Sequence, residues 1–302
     1  MMPSVEDYLK IRRAAGFELE NTDYLLRSFA RFATQRGETH VRTETAIVWA
    51  SQALSLAQRD TRLKTVARFA RHVYHEDERH ELPPSDYFGY HKTRRTPFIY
   101  SHTDINRLIQ AALQLGSSGA LQPQVYATLL ALLAATGLRI SEALALRFAD
   151  ITPEGLLLRK TKFRKSRLVP LHDTAMDGLE RYLRRRRQMP LQDDHLFVTD
   201  QGQPLPYWAV HQTFQTLLKE AGLWQASREY RPRLHDFRHS FAVRALEACS
   251  PGRANISRHM LGLATYLGHA NVLDTYWYLQ ATPQLLSSVA IAGETFLFGE
   301  SS

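Results

Sequence analysis

Cysteine is almost missing from this chain. Cys249 is the only one in 302 residues, which excludes a disulfide framework within the chain and a cysteine-rich zinc module with it. Cys249 itself reads as structural or incidental. Long apolar runs are missing too: no uncharged stretch reaches the roughly 20 residues needed to span a bilayer. The opening residues, MMPSVEDYLKIRR, carry acids early and no apolar segment, which is unlike a secretory signal. The expectation is a reducing, cytoplasmic setting without a membrane. There is no internal repeat and no low-complexity tract. Acidic residues are in deficit, with 30 Asp and Glu against 38 Lys and Arg, for a net charge of +8. That surplus favours a polyanionic partner, nucleic acid ahead of an anionic membrane surface.

What is present is ordinary for a folded protein: 44% hydrophobic and 23% charged residues, in a length that suits one large domain or two medium ones. Apolar residues recur at helical spacing in VEDYLKIRRAAGF, TDYLLRSFARFATQRG and TRLKTVARFARHVY, which predicts a small all-α bundle over the first ninety or so residues. Asn21 or Thr22 is the expected cap of its second helix and Gly37 its stop. Arg12, Arg13, Arg62, Lys64, Arg68 and Arg71 ride on these helices. They read equally as a solvated outer face or as a surface that contacts phosphates. ELPPSDYFGYHKTRRTPFIYS, with Pro83 and Pro84, reads as a linker whose Lys92, Arg94 and Arg95 are free to meet a nucleic-acid backbone.

A second helical block follows. Ser101 is a candidate cap, VYATLLALLAATG is apolar enough to be buried, and Gly137 is a natural stop. ISEALALRFADI restarts a helix and places Arg139 at its N-terminal edge. GLLLRKTKFRKSRLVPL has two apolar runs around a basic turn, the pattern of a β-hairpin. The Arg184–Arg187 run reads most simply as a solvated helix end, with DNA contact as the other reading. Helices are expected around WAVHQTFQTLLKEAG and LHDFRHSFAVRALEA, and Tyr266 reads as core.

Four segments carry chemistry together: ATGLRISEAL with Arg139, TKFRKSR with Lys162, LHDFRHSFA with His235 and Arg238, and LGHANVLDTYWYL with His269 and Tyr278. Attack of a tyrosine on a phosphodiester needs this inventory. Arginines bind the non-bridging oxygens and stabilise charge in the transition state. A histidine or lysine moves protons, and the tyrosine keeps the phosphate attached so that bond energy is conserved. Such chemistry needs no metal ion or nucleotide cofactor, and none is expected. His235 and His239 stand four apart, the spacing of a metal-binding pair, but Arg238 between them would set a cation beside the metal. Lys160 and Lys165 share the turn with Lys162, and the residues alone leave the three open. Tyr276 and Tyr278 point to nearly opposite sides of a helix, so only one can face a phosphate.

These motifs, in this order, resemble the tyrosine recombinase, or phage-integrase, family over nearly the whole chain. The resemblance implies a mainly α fold with a small β-hairpin or sheet. A helical DNA-clamping domain with its linker would occupy 1–97 and a mixed α/β catalytic domain 98–302. It implies Arg139, Lys162, His235, Arg238 and His269 as catalytic residues, and Tyr278, nine residues beyond His269, as the nucleophile. It implies cleavage and rejoining of double-stranded DNA through a 3′-phosphotyrosyl link. The enzyme would be a homotetramer on DNA and a monomer or weak oligomer off it, with LLSSVAIAGETFLF apolar enough to dock on a neighbour or on its own protomer. The chain departs from the family in SPGRANISRHMLGLATY, a longer and more basic connection whose Arg253, Arg258 and His259 are further DNA-contact candidates. A type IB topoisomerase-like relaxing enzyme, a non-catalytic DNA-binding factor on this scaffold and, more distantly, a metal hydrolase are the alternatives.

Overall fold

A computed structural model describes residues 1–91, 95–116, 121–159, 166–189, 193–224, 231–249, 253–269, 271, 275 and 278, with side chains left aside at 253–256. The chain forms two compact units, Met1–Arg94 and Arg95–Ser302. The first is made of α1 (Met2–Ala14), α2 (Glu20–Gln35), α3 (Thr43–Ser51) and α4 (Leu56–Tyr74). Their apolar stripes meet in one core around Leu26, Phe29, Trp49, Leu63, Val66 and Phe69. The cap expected at Asn21 or Thr22 is not there: α2 begins earlier, at Glu20, after Leu19 in a left-handed conformation. Both residues fall inside the first turn, where Glu20 and Asp23 put negative charge against the helix N-terminus.

The second unit opens at Tyr100, whose ring stacks on Phe237 and whose backbone N–H donates to Ser240 Oγ at 2.8 Å. Its helices are α5 (His102–Leu113), α6 (Gln122–Thr136), the short α7 (Ile140–Leu144), α8 (Asp173–Arg186), α9 (Tyr207–Glu220), α10 (Asp236–Glu247) and α11 (Arg253–Leu267). Ser101 caps α5 as its sequence predicts, in a reciprocal box with Asp104. The apolar α6 is buried almost all round, from Val125 through Leu133. The hairpin forms between β2 (Gly155–Leu158) and β3 (Arg167–Val169), antiparallel with Leu156 opposite Val169, and β1 (Ile151–Thr152) adds a third strand beside β2. Leu156, Leu158 and Val169 turn inward while Leu168 faces out, the alternation of a sheet with one covered side.

One expectation fails in α8. Arg184, Arg185 and Arg187 are exposed, but Arg186 is fully buried. It lies in register with Leu179, Tyr182 and Leu183 on the inner face of the helix. Its Nη2 donates to the carbonyls of Asp193 and His195, and its guanidinium lies over the Phe148 ring. Gly137 ends α6 with φ +61°, and a Cβ there would stand 2.6 Å from Cδ1 of Phe241 on α10.

Gly137→Ala is expected to destabilise the second unit by about 2–4 kcal/mol, from left-handed strain and displacement of Phe241 together. Gly178→Ala, inside α8 where an added Cβ meets only Arg181 Nη2 at 3.7 Å, is expected to stabilise by about 0.5–1 kcal/mol. Urea unfolding of both variants checks the two signs, and matching midpoints would discard the account.

Candidate active site

The site is built where four helices end or begin. Past Gly137 the chain runs extended through Arg139, the residue just before α7, whose backbone N–H is received by Glu142 Oε2 at 2.9 Å. The Arg139 guanidinium donates to Glu142 Oε1 at 2.7 Å and to the Gly268 carbonyl at 3.2 Å, with a quarter of the side chain open to solvent. Arg238 enters from the first turn of α10 and is buried. It donates to the carbonyl of Gly137 at 2.9 Å and of Leu267 at 2.5 Å, the negative ends of α6 and α11. Burial, and then the nearby Arg139, push its pKa down to about 10; Tyr278 and Glu142 oppose the fall. It remains a cation at neutral pH.

The end of α11 explains the Leu-Gly-His motif. Gly268 takes φ +67° and donates to Thr265, and His269 N–H donates to Ala264, so the helix closes in a Schellman turn. His269 emerges beside it. Its Nδ1 is 2.8 Å from Oγ1 of the buried Thr275, and its ring lies nearly parallel to that of Tyr278 with centroids 5.9 Å apart. Tyr278 is buried too, and His239 meets its ring edge-on at 5.3 Å.

His235 precedes α10 and meets His239 edge-on at 5.0 Å. Desolvation of its inner side, then Arg238, Arg233 and Arg139, push its pKa down to about 4, although the residue keeps an exposed face. His239 is lowered to about 3, by burial first and then by His235, Arg233, Arg238 and His269. Its Nδ1 is buried without a hydrogen-bond partner. Asp236 turns the other way, into the core, where it accepts from the Arg233 backbone and guanidinium.

The structure therefore brings Arg139, Arg238, His235, His269 and Tyr278 together. Lys162, with its rivals Lys160 and Lys165, lies outside the described residues, as do Tyr276 and the LLSSVAIAGETFLF tail. Sequence reasoning passed over Glu142 and Arg167 as site neighbours and weighed His239 only as a metal-binding partner of His235. Glu142 had a signal, since an acid three residues after the first residue of a helix start is the second half of a capping pair. The cations around His235 and His239 make that pair a poor metal site. Elsewhere His40, Asp77 and His80 lie close enough to share an ion. However, His80 Nδ1 accepts the Val41 N–H, which leaves its other nitrogen protonated in the neutral ring.

The other basic candidates divide. Lys64, Arg68 and Arg71 share one face of α4, at successive helical turns. Lys64 pairs with Asp60 at 2.8 Å, Arg68 returns to the Lys64 carbonyl, and Arg71 is exposed. Arg62 points elsewhere: its guanidinium reaches the Trp49 carbonyl and covers the Trp49 ring, fastening α4 to α3. Arg95 and Arg258 are exposed. His259 donates from Nε2 to the Ala245 carbonyl at 2.7 Å, tying α11 to α10. Lys92, Arg94 and the Arg253 side chain lie outside the described residues.

Because both imidazoles are held neutral, their stabilising effect is fully present above the ordinary histidine value of 6.5 and drains away as pH falls towards about 4 and then about 3. The thermal midpoint should drop on acidification, and less steeply in His239→Phe. An NMR titration that placed His239 near 6.5 would sink this account.

Comparison with known proteins agrees with the geometry. A putative integrase/recombinase of Sinorhizobium fredii, y4rB, is 39% identical over 294 residues, 94% of this chain and 93% of its own. A tyrosine recombinase XerD of Oceanobacillus iheyensis is 30% identical over 203 residues, 66% of this chain and 62% of its own. The solved XerH site-specific recombinase, bound to palindromic difH substrate in a post-cleavage complex, shares the fold: TM-score 0.66 at 22% identity, over 96% of this chain and 84% of that one. The sequence profile of the phage integrase family matches residues 99–284. The chain belongs to the phage integrase family, the tyrosine recombinases.

Proposed function

We propose that this protein is a site-specific DNA recombinase that cleaves and rejoins double-stranded DNA through a 3′-phosphotyrosyl link to Tyr278. The observation that carries the reading is the setting of that phenol: its ring packs against those of both His269 and His239, and it interacts with the Arg238 guanidinium. A phosphate arriving here meets two guanidinium groups, each with N–H donors beyond those bound to carbonyls.

Arg139 and Arg238 bind the non-bridging oxygens and offset the charge that builds in the transition state. Tyr278 Oη forms the new bond to phosphorus as the bond to the 5′-oxygen breaks. His235, neutral at physiological pH, accepts the phenolic proton or orients the group, and His269 hydrogen-bonds the scissile phosphate. Lys162, which falls in the sequence between β2 and β3, donates a proton to the departing 5′-oxygen. The 5′-hydroxyl of a partner duplex then attacks the phosphotyrosine and frees Tyr278, which gives a Holliday junction, and a second round resolves it. The helical unit clamps DNA with the basic face of α4. The assembly is a homotetramer on DNA and a monomer or weak oligomer off it. The reaction belongs in the cytoplasm; among the described residues no helix is long and apolar enough to cross a membrane.

Incubation with a random-sequence library of nicked duplexes, followed by recovery of detergent-resistant protein–DNA adducts, tests the reading. Tyr278→Phe should abolish adducts while leaving DNA affinity near that of the wild type. Persisting adducts, or adducts lost only in Tyr276→Phe, would reject Tyr278 as nucleophile. Arg238→Ala should slow adduct formation by about 10²–10³-fold, and chelator should leave the wild-type rate unchanged.

A further inference from the structure

Arg167 has no part in the reaction as written, yet all three of its guanidinium nitrogens donate hydrogen bonds. It opens β3 with a side chain only 13% exposed. Nε donates to the Tyr266 carbonyl at 2.9 Å, Nη1 to Glu142 Oε1 at 3.0 Å and Nη2 to Glu142 Oε2 at 2.9 Å. Glu142, 8% exposed, passes the contact on to Arg139, whose Nη1 also reaches Oε1. Arg139 closes the circuit through the Gly268 carbonyl. The fit leaves no slack, since a Cβ on Gly268 would stand 2.8 Å from Arg167 Nη1. One side chain thus joins the hairpin, the start of α7 and the end of α11.

We propose that Arg167 is a positioning residue for Arg139, acting through Glu142. This deepens the proposed function and rests on it. A carboxylate alone beside Arg139 would form a two-pronged pair with it and turn its donor edge away from a phosphate. Arg167 takes that two-pronged position instead. Glu142 is left to offer the Arg139 guanidinium one oxygen, while Oε2 holds the Arg139 backbone N–H. Arg139 is then fixed with donors to spare, and little freedom remains to be lost when the phosphate binds. Burial alone would raise the Glu142 pKa, yet the bonds from Arg167 and Arg139 bring it below the usual carboxylate value. Without Arg167 the burial remains and that pKa rises. A proton on Glu142 would then release Arg139, so the variant's rate should fall more steeply with acidification than the wild type's.

The test compares full-length wild type, Arg167→Gln and Arg167→Lys in single-turnover adduct formation on the duplex enriched from the library. Rates are measured across pH, alongside DNA affinity and thermal midpoints. Arg167→Gln should be slower by about tenfold or more at neutral pH with affinity within about twofold, and the ratio of wild-type to variant rate should widen as pH falls. Arg167→Lys, which keeps the charge without the two-pronged grip, should fall between them and widen less. A wild-type rate in Arg167→Gln, or a deficit that is constant with pH, overturns the role. If Arg167→Gln does not fold, Arg167→Lys decides: slower and widening towards acid supports the role, anything else overturns it. Wild-type protein that forms no adducts overturns the proposed reaction and this role with it; wild-type adducts beside an unaffected variant overturn the role alone.

Discussion

Three consecutive carbonyls at the end of α11 hold the site together. Tyr266 accepts from Arg167, Leu267 from Arg238 and Gly268 from Arg139. A helix leaves its last carbonyls without partners, and buried ones must be satisfied. Here the Schellman turn uses the carbonyls of Ala264 and Thr265, and the arginines take the next three. The arginines come from β3, from the N-terminal turn of α10 and from the residue before α7. A single helix terminus therefore fixes the relative position of elements far apart in sequence, with charge-assisted bonds worth about 1.5–3 kcal/mol each.

The same arrangement solves an electrostatic problem. Arg139, Arg167 and Arg238 crowd together with one carboxylate, Glu142, between two of them. Carbonyl dipoles at the ends of α6 and α11 stabilise the third without neutralising it. The net charge stays positive and is aimed by backbone that does not reorganise when an anion arrives, which is the requirement for preorganised stabilisation of a phosphoryl transition state. The neutral state of His235 and His239 follows first from their desolvation and then from nearby positive charge, Arg238 and Arg233 acting on both. An imidazole kept unprotonated can accept a proton from a phenol; an imidazolium cannot.

Much of this was legible in the sequence, for definite reasons. The pause at Gly137, the restart at Arg139 and the two apolar runs around a basic stretch all rest on local backbone rules, and α6, α7 and the hairpin follow them. What the sequence left dark is pairing across long separations. Nothing local says that Arg167 and Glu142 will meet 25 positions apart, or that Arg238 will reach carbonyls 101 and 29 residues away. Arg186 shows a different failure. Four arginines in a row look like solvated charge, but the helical stripe of Leu179, Tyr182 and Leu183 continues through position 186, and periodicity outweighs composition. The start of α2 was missed because side chains suited to capping fell one and two places inside the helix.

Gly268 shows why fold and reactivity cannot be separated here. Its left-handed φ ends α11, its carbonyl holds Arg139, and its missing Cβ makes the space that Arg167 occupies. A side chain at that point would strain the turn, crowd Arg167 Nη1 at 2.8 Å and disturb the grip on Glu142 that positions Arg139. His269 leaves the helix at the next residue, so its path to Thr275 and Tyr278 depends on the same turn. A glycine followed by a histidine is a weak motif when read alone. At the end of a helix whose last carbonyls are capped by three cations, it is the joint that decides where both the charge and the tyrosine stand.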